Sequence, residues 1–143
     1  MEEELFHLSY VSTANDFLKL IDFENILNAA KEKNALLNIT GILIYCNKSF
    51  FQILEGPKEN VLDVFEQIKN DCRHDNIIKI QEEPIVKRKF KDWNMAFKSF
   101  NKELSALDYF NNEQFYNHTK DFSTANYNQT SLKVLNDFFD LNG

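Results

Sequence analysis

Cysteine, proline and glycine are all scarce in this chain of 143 residues, which contains two, two and three of them. Cys46 and Cys72 are too few for a disulfide framework and lack the spacing of a metal site. We therefore expect reduced thiols in a cytoplasmic protein. Fourteen phenylalanines beside so few glycines indicate large packed side chains and few loose loops.

Positive charge and long apolar runs are scarce as well. The net charge of −6 argues against a nucleic-acid partner, because such partners usually leave a basic footprint. The one basic cluster, Lys87–Lys89, is interpreted as a solvated strand end. No apolar stretch approaches the roughly 20 residues of a membrane span, and Met1–Glu4 is acidic where a signal peptide is basic. We expect a soluble, intracellular protein with no membrane partner.

The length suits one domain with a substantial core and is too short for two. Carboxylates are plentiful, but none is tied to a nucleophile or a metal set, and no glycine-rich phosphate loop occurs. His7 and His118 are isolated and lack metal-ligand spacing. The sequence therefore indicates neither a catalytic nor a metal site, and we expect that the protein is not an enzyme.

The most hydrophobic part of the chain is a predicted β-hairpin. Its strands, Ile39–Tyr45 and Phe50–Leu54, are rich in β-branched and aromatic residues. The turn between them is Cys46–Ser49, which contains an asparagine suited to a left-handed backbone. Pro57 is expected to end the second strand because it cannot donate to a sheet ladder.

Gln52 is out of place in that hairpin. A period of two puts Phe50, Gln52 and Leu54 on one face of the strand, so a primary amide lies in an apolar stripe. Each missing hydrogen-bond partner of a buried amide costs roughly 1–3 kcal/mol. Either the protein or a ligand must therefore satisfy Gln52.

Apolar spacing predicts the remaining elements. A helix is expected from an N-cap at Asp22 to about Asn34, and a second one from Lys58 to Asn70. Extended segments are expected at Leu5–Ser12, Ile77–Glu82, Val86–Phe90 and Trp93–Phe97.

This order predicts an α+β fold of the ferredoxin-like, split βαβ kind: a βαββαββ mixed sheet with two helices on one face. The crevice between the helices is the expected ligand site. We assign residues 1–100 to this domain and residues 101–143 to a C-terminal helical extension. Its helices are expected at Glu103–Phe110, Glu113–Lys120 and Thr130–Leu141, and they would cap the open face of the sheet or contact another subunit.

Five segments occur in unbroken order from about Glu4 to Phe97. They are L-F-H-L-S-Y-V-S at the first strand, Ile39-Thr40-Gly41 after Asn34, F-F-Q-I-L-E-G-P around Gln52, then D-C-R-H-D-N and F-K-D-W-N-M. Together they resemble the BLUF family of flavin-binding blue-light sensors. The hairpin segment is specific, whereas a lone tyrosine or glutamine is not.

The resemblance implies a flavin between the two helices, usually FAD, with FMN or riboflavin also possible. It implies a photoactive pair at Tyr10 and Gln52, and a ring contact at Asn34. It places Arg73 and His74 at the polar edge of the flavin.

The resemblance further implies that Ile26 and Ile68 sandwich the ring, and that Trp93 and Met95 take part in the photoactive response. Ala30 stands where some members of the family carry a serine. Lys33 stands where some members have His or Asn beside the ring.

A short chain of this family is expected to signal by light-driven hydrogen-bond rearrangement to a separate protein partner, and to form a homo-oligomer. Plainer interpretations stay open. Tyr10 and Gln52 are also typical of a satisfied protein core, and Arg73 and His74 of a helix C-terminus. Trp93 and Met95 are also typical of a core. A light-independent ferredoxin-like module that binds a ligand or a protein is the alternative.

Overall fold

The computed structural model describes residues 4–100 and 102–109. The elements in this part of the chain follow the order strand, helix, strand, strand, helix, strand, strand and a short 3-10 helix. They are β1 (Leu5–Ala14), α1 (Leu20–Leu36), β2 (Thr40–Cys46), β3 (Ser49–Pro57), α2 (Lys58–Lys69), β4 (His74–Pro84), β5 (Ala96–Ser99) and the 3-10 helix Lys102–Leu107.

The strands form one five-stranded sheet in the order β4-β1-β3-β2-β5. The pairs β1–β3, β1–β4 and β2–β3 are antiparallel, whereas β2 and β5 are parallel. The sheet is therefore mixed, and the predicted βαββαββ fold with two packed helices is confirmed.

Some predicted boundaries were wrong. Val86–Phe90 is not a strand, and β5 runs over Ala96–Ser99 instead of Trp93–Phe97. The segment before β5, residues 85–95, is held by groups outside a strand ladder of its own. For example, the backbone N–H of Gly41 donates to the carbonyl of Trp93 at 3.0 Å. Backbone groups that are satisfied in this way need no strand partner.

Helix α1 begins earlier than Asp22. Its N-cap is Lys19, and the backbone N–H of Lys19 donates to Asp22 Oδ2 at 2.8 Å. Asp22 is the third helical residue. A carboxylate at this position can accept a hydrogen bond from the N-cap backbone N–H, and its negative charge interacts favourably with the helix dipole. The prediction that Asp22 is the N-cap was therefore wrong by three residues.

The two faces of the sheet carry separate apolar clusters. Because side chains alternate along a strand, Phe50 and Leu54 of β3 pack with the helices, while Phe51 and Ile53 pack on the other face. Helix α1 contributes buried Phe23 and Leu27 to the helix side, and α2 contributes Val61, Val64 and Phe65. The core thus lies on both sides of one sheet.

The basic cluster at Lys87–Lys89 is not a solvated strand end. Arg88 donates to Thr40 Oγ1 at 2.9 Å and to the carbonyl of Asn38 at 2.7 Å. The carboxylate of buried Glu55 accepts the backbone N–H groups of Lys89 and Phe90 at 2.8 Å. The cluster therefore ties the segment before β5 to β2 and β3.

Gly41 is required by a close approach between β2 and β3. A Cβ atom added there would lie 1.9 Å from the carbonyl oxygen of Ile53. No side chain fits at that distance, so the glycine of the Thr40–Gly41 segment has a packing reason independent of any ligand.

Part of the C-terminal extension is described. The segment predicted as a helix from Glu103 is a 3-10 helix that ends at Leu107. The next residue, Asp108, accepts a hydrogen bond from Ser99 N–H at 2.6 Å and forms an ion pair with Lys98 at 3.0 Å. The predicted helices Glu113–Lys120 and Thr130–Leu141 lie outside the described residues. In the described part, no helix is long and apolar enough to cross a membrane.

Candidate functional site

A cavity opens between α1 and α2 above the helix-side face of the sheet. It encloses about 830 Å³ of space, its open mouth included. The structure therefore places an open pocket at the crevice predicted from the order of the elements.

The floor of the cavity holds Tyr10 and Gln52, which are directly opposite each other on β1 and β3. Both are buried, at 3% and 5% exposed. The Tyr10 hydroxyl donates to Gln52 Oε1. Burial, reinforced by the negative charge of Asp71, raises the pKa of Tyr10 well above its usual value. The phenol therefore remains protonated and available as a donor.

Met95 completes the surroundings of the glutamine. Gln52 Nε2 donates to the Met95 sulfur at 3.4 Å, and Met95 is 2% exposed. A thioether is only a weak acceptor. The two contacts use one N–H and one oxygen lone pair of the amide, which has a second of each to offer a ligand.

Asn34 reaches the cavity from the last turn of α1. Its side chain is buried, and its Nδ2 donates to the carbonyl of Asn94 at 2.9 Å. Asn94 Nδ2 in turn donates to the carbonyl of Ile39 at 3.1 Å. These bonds hold Asn34 and the segment before β5 together at one side of the cavity.

The two long walls are apolar. Ile26 and Ala30 line the cavity from α1, whereas Val64 and Ile68 line it from α2. Ile26 and Ile68 are only partly buried. Apolar side chains on two facing helices provide flat van der Waals contact for a ring inserted between them.

The mouth of the cavity is polar. Arg73 makes a bidentate ion pair with Asp71, the shortest contact being 2.6 Å from Nη2 to Oδ2. The hydrogen bond from Arg73 is the main reason why the pKa of Asp71 is lowered. Lys33 lines the same opening from α1. The mouth therefore carries two cations and one carboxylate.

His74 also lines the cavity, with both ring nitrogens engaged. Nδ1 lies 2.7 Å from Ser12 Oγ, and Nε2 lies 2.7 Å from the carbonyl of Ile68. The edge of this imidazole faces the Tyr10 ring at 6.2 Å between centroids. His74 thus forms part of the wall beside the phenol.

Trp93 lies elsewhere. It packs against the apolar cluster on the opposite face of the sheet. The centroid of its ring lies 6.3 Å from that of Phe90 and 5.1 Å from that of Tyr109. The structure thus brings together Tyr10, Gln52 and Met95 and does not bring Trp93 to them.

Some residues of the site escaped the sequence analysis. Ser12 shares a strand face with Tyr10, so a period of two was an available signal. Asp71 is two residues from Arg73, which also places it near the mouth. No sequence pattern indicated that the carbonyl of Asn94 would lie at the site, because its position depends on how the segment before β5 folds back on α1.

These features fit a flavin. The flat apolar walls suit its tricyclic ring, and the free amide capacity of Gln52 and Asn34 suits the oxygen and nitrogen acceptors and donors along its polar edge. The cations Lys33 and Arg73 at the mouth suit an anionic tail. Among the described residues, no group of three or more metal-ligating side chains was found.

Comparison with known proteins agrees with this geometry. The profile of the BLUF family, described as sensors of blue-light using FAD, matches residues 5–96. The photoactivated adenylate cyclase subunit beta of Euglena longa is 34% identical over 90 residues, which are 62% of this chain and 10% of that protein. The chain spans only about a tenth of the length of that relative.

Two solved structures cover most of the chain. The dark state of the BLUF protein BlrB has 35% identity and a TM-score of 0.67, and the match covers 86% of this chain and 88% of that one. The photo-activated state of BlsA has 32% identity and a TM-score of 0.69, with 94% of each chain covered. Family profile, sequence relatives and fold agree, and the chain belongs to the BLUF family of blue-light sensors that use FAD.

Proposed function

We propose that this chain is a blue-light photoreceptor in which the Tyr10–Gln52 pair changes its hydrogen bonding when non-covalently bound flavin absorbs light. The observation that carries the proposal is the hydrogen bond from Tyr10 to the amide oxygen of a buried glutamine on the cavity floor. Such a pair can be re-paired only in discrete ways, because each unmet buried polar group is costly.

The residues that would hold the flavin are those of the floor, walls and mouth. Ile26 and Ile68 would contact the two faces of its ring, and Asn34 and Gln52 its polar edge. Arg73 and His74 would lie near the opening, where Arg73 is paired with Asp71. FAD is the cofactor of the family, and the polar mouth would also admit the shorter tails of FMN or riboflavin.

When bound, the flavin supplies an excited state that is a strong oxidant. Tyr10 is suited to lend an electron and a proton and to take both back, because its phenol stays protonated in the dark and touches Gln52 Oε1. Because the electron and the proton both return to Tyr10, the redox states of Tyr10 and of the flavin are the same before and after the response. What differs afterwards is the pairing of Gln52.

Two arrangements of Gln52 are distinguishable in this site. In the one observed, Oε1 accepts from Tyr10 and Nε2 donates to the Met95 sulfur. Rotation of the amide by half a turn, or exchange of its tautomer, would present a donor to Tyr10 instead. After rotation the amide oxygen would face the Met95 sulfur, which has no proton to donate. If the amide rotates, the Met95 contact would therefore be made in one state only.

Met95 directly precedes β5, which gives the change a route out of the cavity. We propose that displacement of Met95 is transmitted through β5 to the contacts of Lys98 and Ser99 with Asp108. From there it would reach the extension and a separate protein partner, with the chain itself not an enzyme and assembled as a homo-oligomer. Cys46 and Cys72 form no disulfide, which suits a reducing compartment such as the cytoplasm.

The test is the visible absorption spectrum of the purified protein before and after blue light. We expect a flavin spectrum that shifts slightly to the red and recovers in the dark. A flavin spectrum that never moves would leave the binding site but exclude the Tyr10–Gln52 switch.

A light-independent binding module is the second candidate. It is favoured by one observation: Gln52 already has a donor and an acceptor contact within the protein. A protein that is purified colourless, and that takes up no flavin on addition, would support this second candidate.

A further inference from the structure

Ser12 is a buried polar residue next to the proposed photoactive pair. It lies on β1 two residues after Tyr10 and on the same face of the strand, and it is 3% exposed. Its hydroxyl lies 2.7 Å from His74 Nδ1. A buried hydroxyl placed so close to an imidazole limits the protonation pattern of that ring.

The pattern follows from the second nitrogen. His74 Nε2 lies 2.7 Å from the carbonyl oxygen of Ile68, in the last turn of α2. A carbonyl can only accept, so Nε2 carries the proton. In the neutral ring Nδ1 is then an acceptor, and the Ser12 hydroxyl is its donor. For the neutral ring, the contacts therefore define one direction of donation: Ser12 to His74, and His74 to Ile68.

This chain of hydrogen bonds connects three parts of the cavity. Ser12 is on the interior strand β1, His74 is the first residue of β4, and Ile68 is on the α2 wall. The edge of the His74 ring meets Tyr10 at 6.2 Å and Phe50 at 6.3 Å between centroids. The plane of the imidazole therefore shapes the wall beside the phenol.

We propose that Ser12 is a positioning residue of the site: its hydroxyl holds His74 in the neutral Nε2–H tautomer and in one ring orientation. Through His74 it also holds the end of α2 that carries Ile68. Neither role needs contact between Ser12 and the flavin. The tautomer is a property of the protein alone, whereas the effect on light recovery rests on the proposed photoreceptor function.

Thr13 provides a matched control. It is the next residue of the same strand, also carries a hydroxyl, and is exposed on the other side. Thr13→Ala removes a similar group from β1 without touching His74. Ser12→Thr restores a hydroxyl at the position of interest, and is the conservative rescue of Ser12→Ala.

The experiment is nitrogen-15 NMR of histidine-labelled full-length protein, with His74→Gln used to identify the His74 signals. We expect the Nε2–H tautomer in the wild type, in Thr13→Ala and in Ser12→Thr. In Ser12→Ala we expect averaged signals from tautomer or ring exchange. A wild-type ring in the Nδ1–H or doubly protonated form overturns the proposal, as does an unchanged spectrum in Ser12→Ala.

Dark recovery after blue light is the second measurement. We expect Ser12→Ala to change the recovery rate about fivefold, the factor that corresponds to one ordinary hydrogen bond, and Ser12→Thr and Thr13→Ala to leave it near wild type. A changed tautomer with an unchanged rate would overturn the role beside Tyr10. If the wild type showed no light response, the proposed function would fail, while NMR would still decide the assignment of Ser12.

Discussion

Tyr10 and Gln52 face each other across the β1–β3 ladder, and the phenol donates its hydrogen bond to the amide oxygen of the glutamine. The two residues are 42 positions apart in the chain, on adjacent central strands of the sheet. Both are buried at the floor of the same cavity. The relationship makes Tyr10 the natural first residue to test.

We expect Tyr10→Phe to keep the fold and the bound flavin and to abolish the light-induced red shift. The substitution keeps the ring packed on Phe65, 5.5 Å away, and removes only the hydroxyl that donates to Gln52. Absorption difference spectra after blue light measure the effect. Tyr45→Phe is the control, because Tyr45 is also buried and packs on Phe23 and Phe50 instead. A normal shift in Tyr10→Phe would contradict the mechanism.

Met95→Leu should alter dark recovery severalfold while leaving flavin binding intact. Leucine keeps most of the volume but has no sulfur to accept from Gln52 Nε2, a contact now made at 3.4 Å. One weak hydrogen bond of roughly 0.5–1 kcal/mol corresponds to a factor of about two to five in rate. Trp93→Phe is the comparison, since Trp93 packs on the opposite face of the sheet. A larger effect from Trp93→Phe would reverse this assignment.

Protein stability should rise between about pH 4 and pH 6.5 because of His7. Burial lowers the pKa of His7 from 6.5 to about 4. In that window the unfolded chain binds the proton and the folded protein does not, so raising the pH favours folding. The full effect is about 3 kcal/mol. Glu55 and Glu83 are opposite His7 on the neighbouring strands and belong to its surroundings.

Urea unfolding of the wild type and of His7→Gln across this pH range measures the contribution. The variant should have a flatter stability profile whatever its absolute stability. An equal slope in both proteins would assign the pH dependence to other groups.

Gly41→Ala should strongly destabilise the protein, by roughly 3 kcal/mol or more. Its Cβ would lie 1.9 Å from the Ile53 carbonyl oxygen, so β2 and β3 would have to separate. Gly56→Ala should cost less, because its nearest contact, the carbonyl oxygen of Asn38, would be at 2.8 Å. Thermal unfolding of both variants gives the order, and the reverse order would contradict this account of the hairpin.

Local patterns were enough for the elements and their order. Apolar spacing and turn residues placed both helices, the hairpin and the first strand. The same alternation put Gln52 in an apolar stripe, and the structure places that stripe on the helix side of the sheet. The boundary at Asp22 was wrong because a carboxylate in the first helical turn can serve as a capping group from inside the helix.

The segment from Ile85 to Met95 was predicted least well. Its backbone is satisfied by distant groups, such as the Glu55 carboxylate and the Gly41 N–H. A strand pattern at Val86–Phe90 was therefore misleading, and Arg88 was wrongly interpreted as solvated. Nothing local in the sequence encodes partners such as Asn38 and Glu55, which are 50 and 35 residues away from the residues they bind.

By itself, the sequence determined the fold class, the family and the candidates for the site, because periodicity, turn chemistry and motif residues are local properties of a chain. Only the tertiary structure decided which candidates meet. It placed Met95 against Gln52, 43 residues away, sent Trp93 to the opposite face of the sheet, and connected Ser12 with His74 across 62 residues. Such contacts depend on strand register and on how a segment folds back over the sheet, and both are set by the packing of the whole domain.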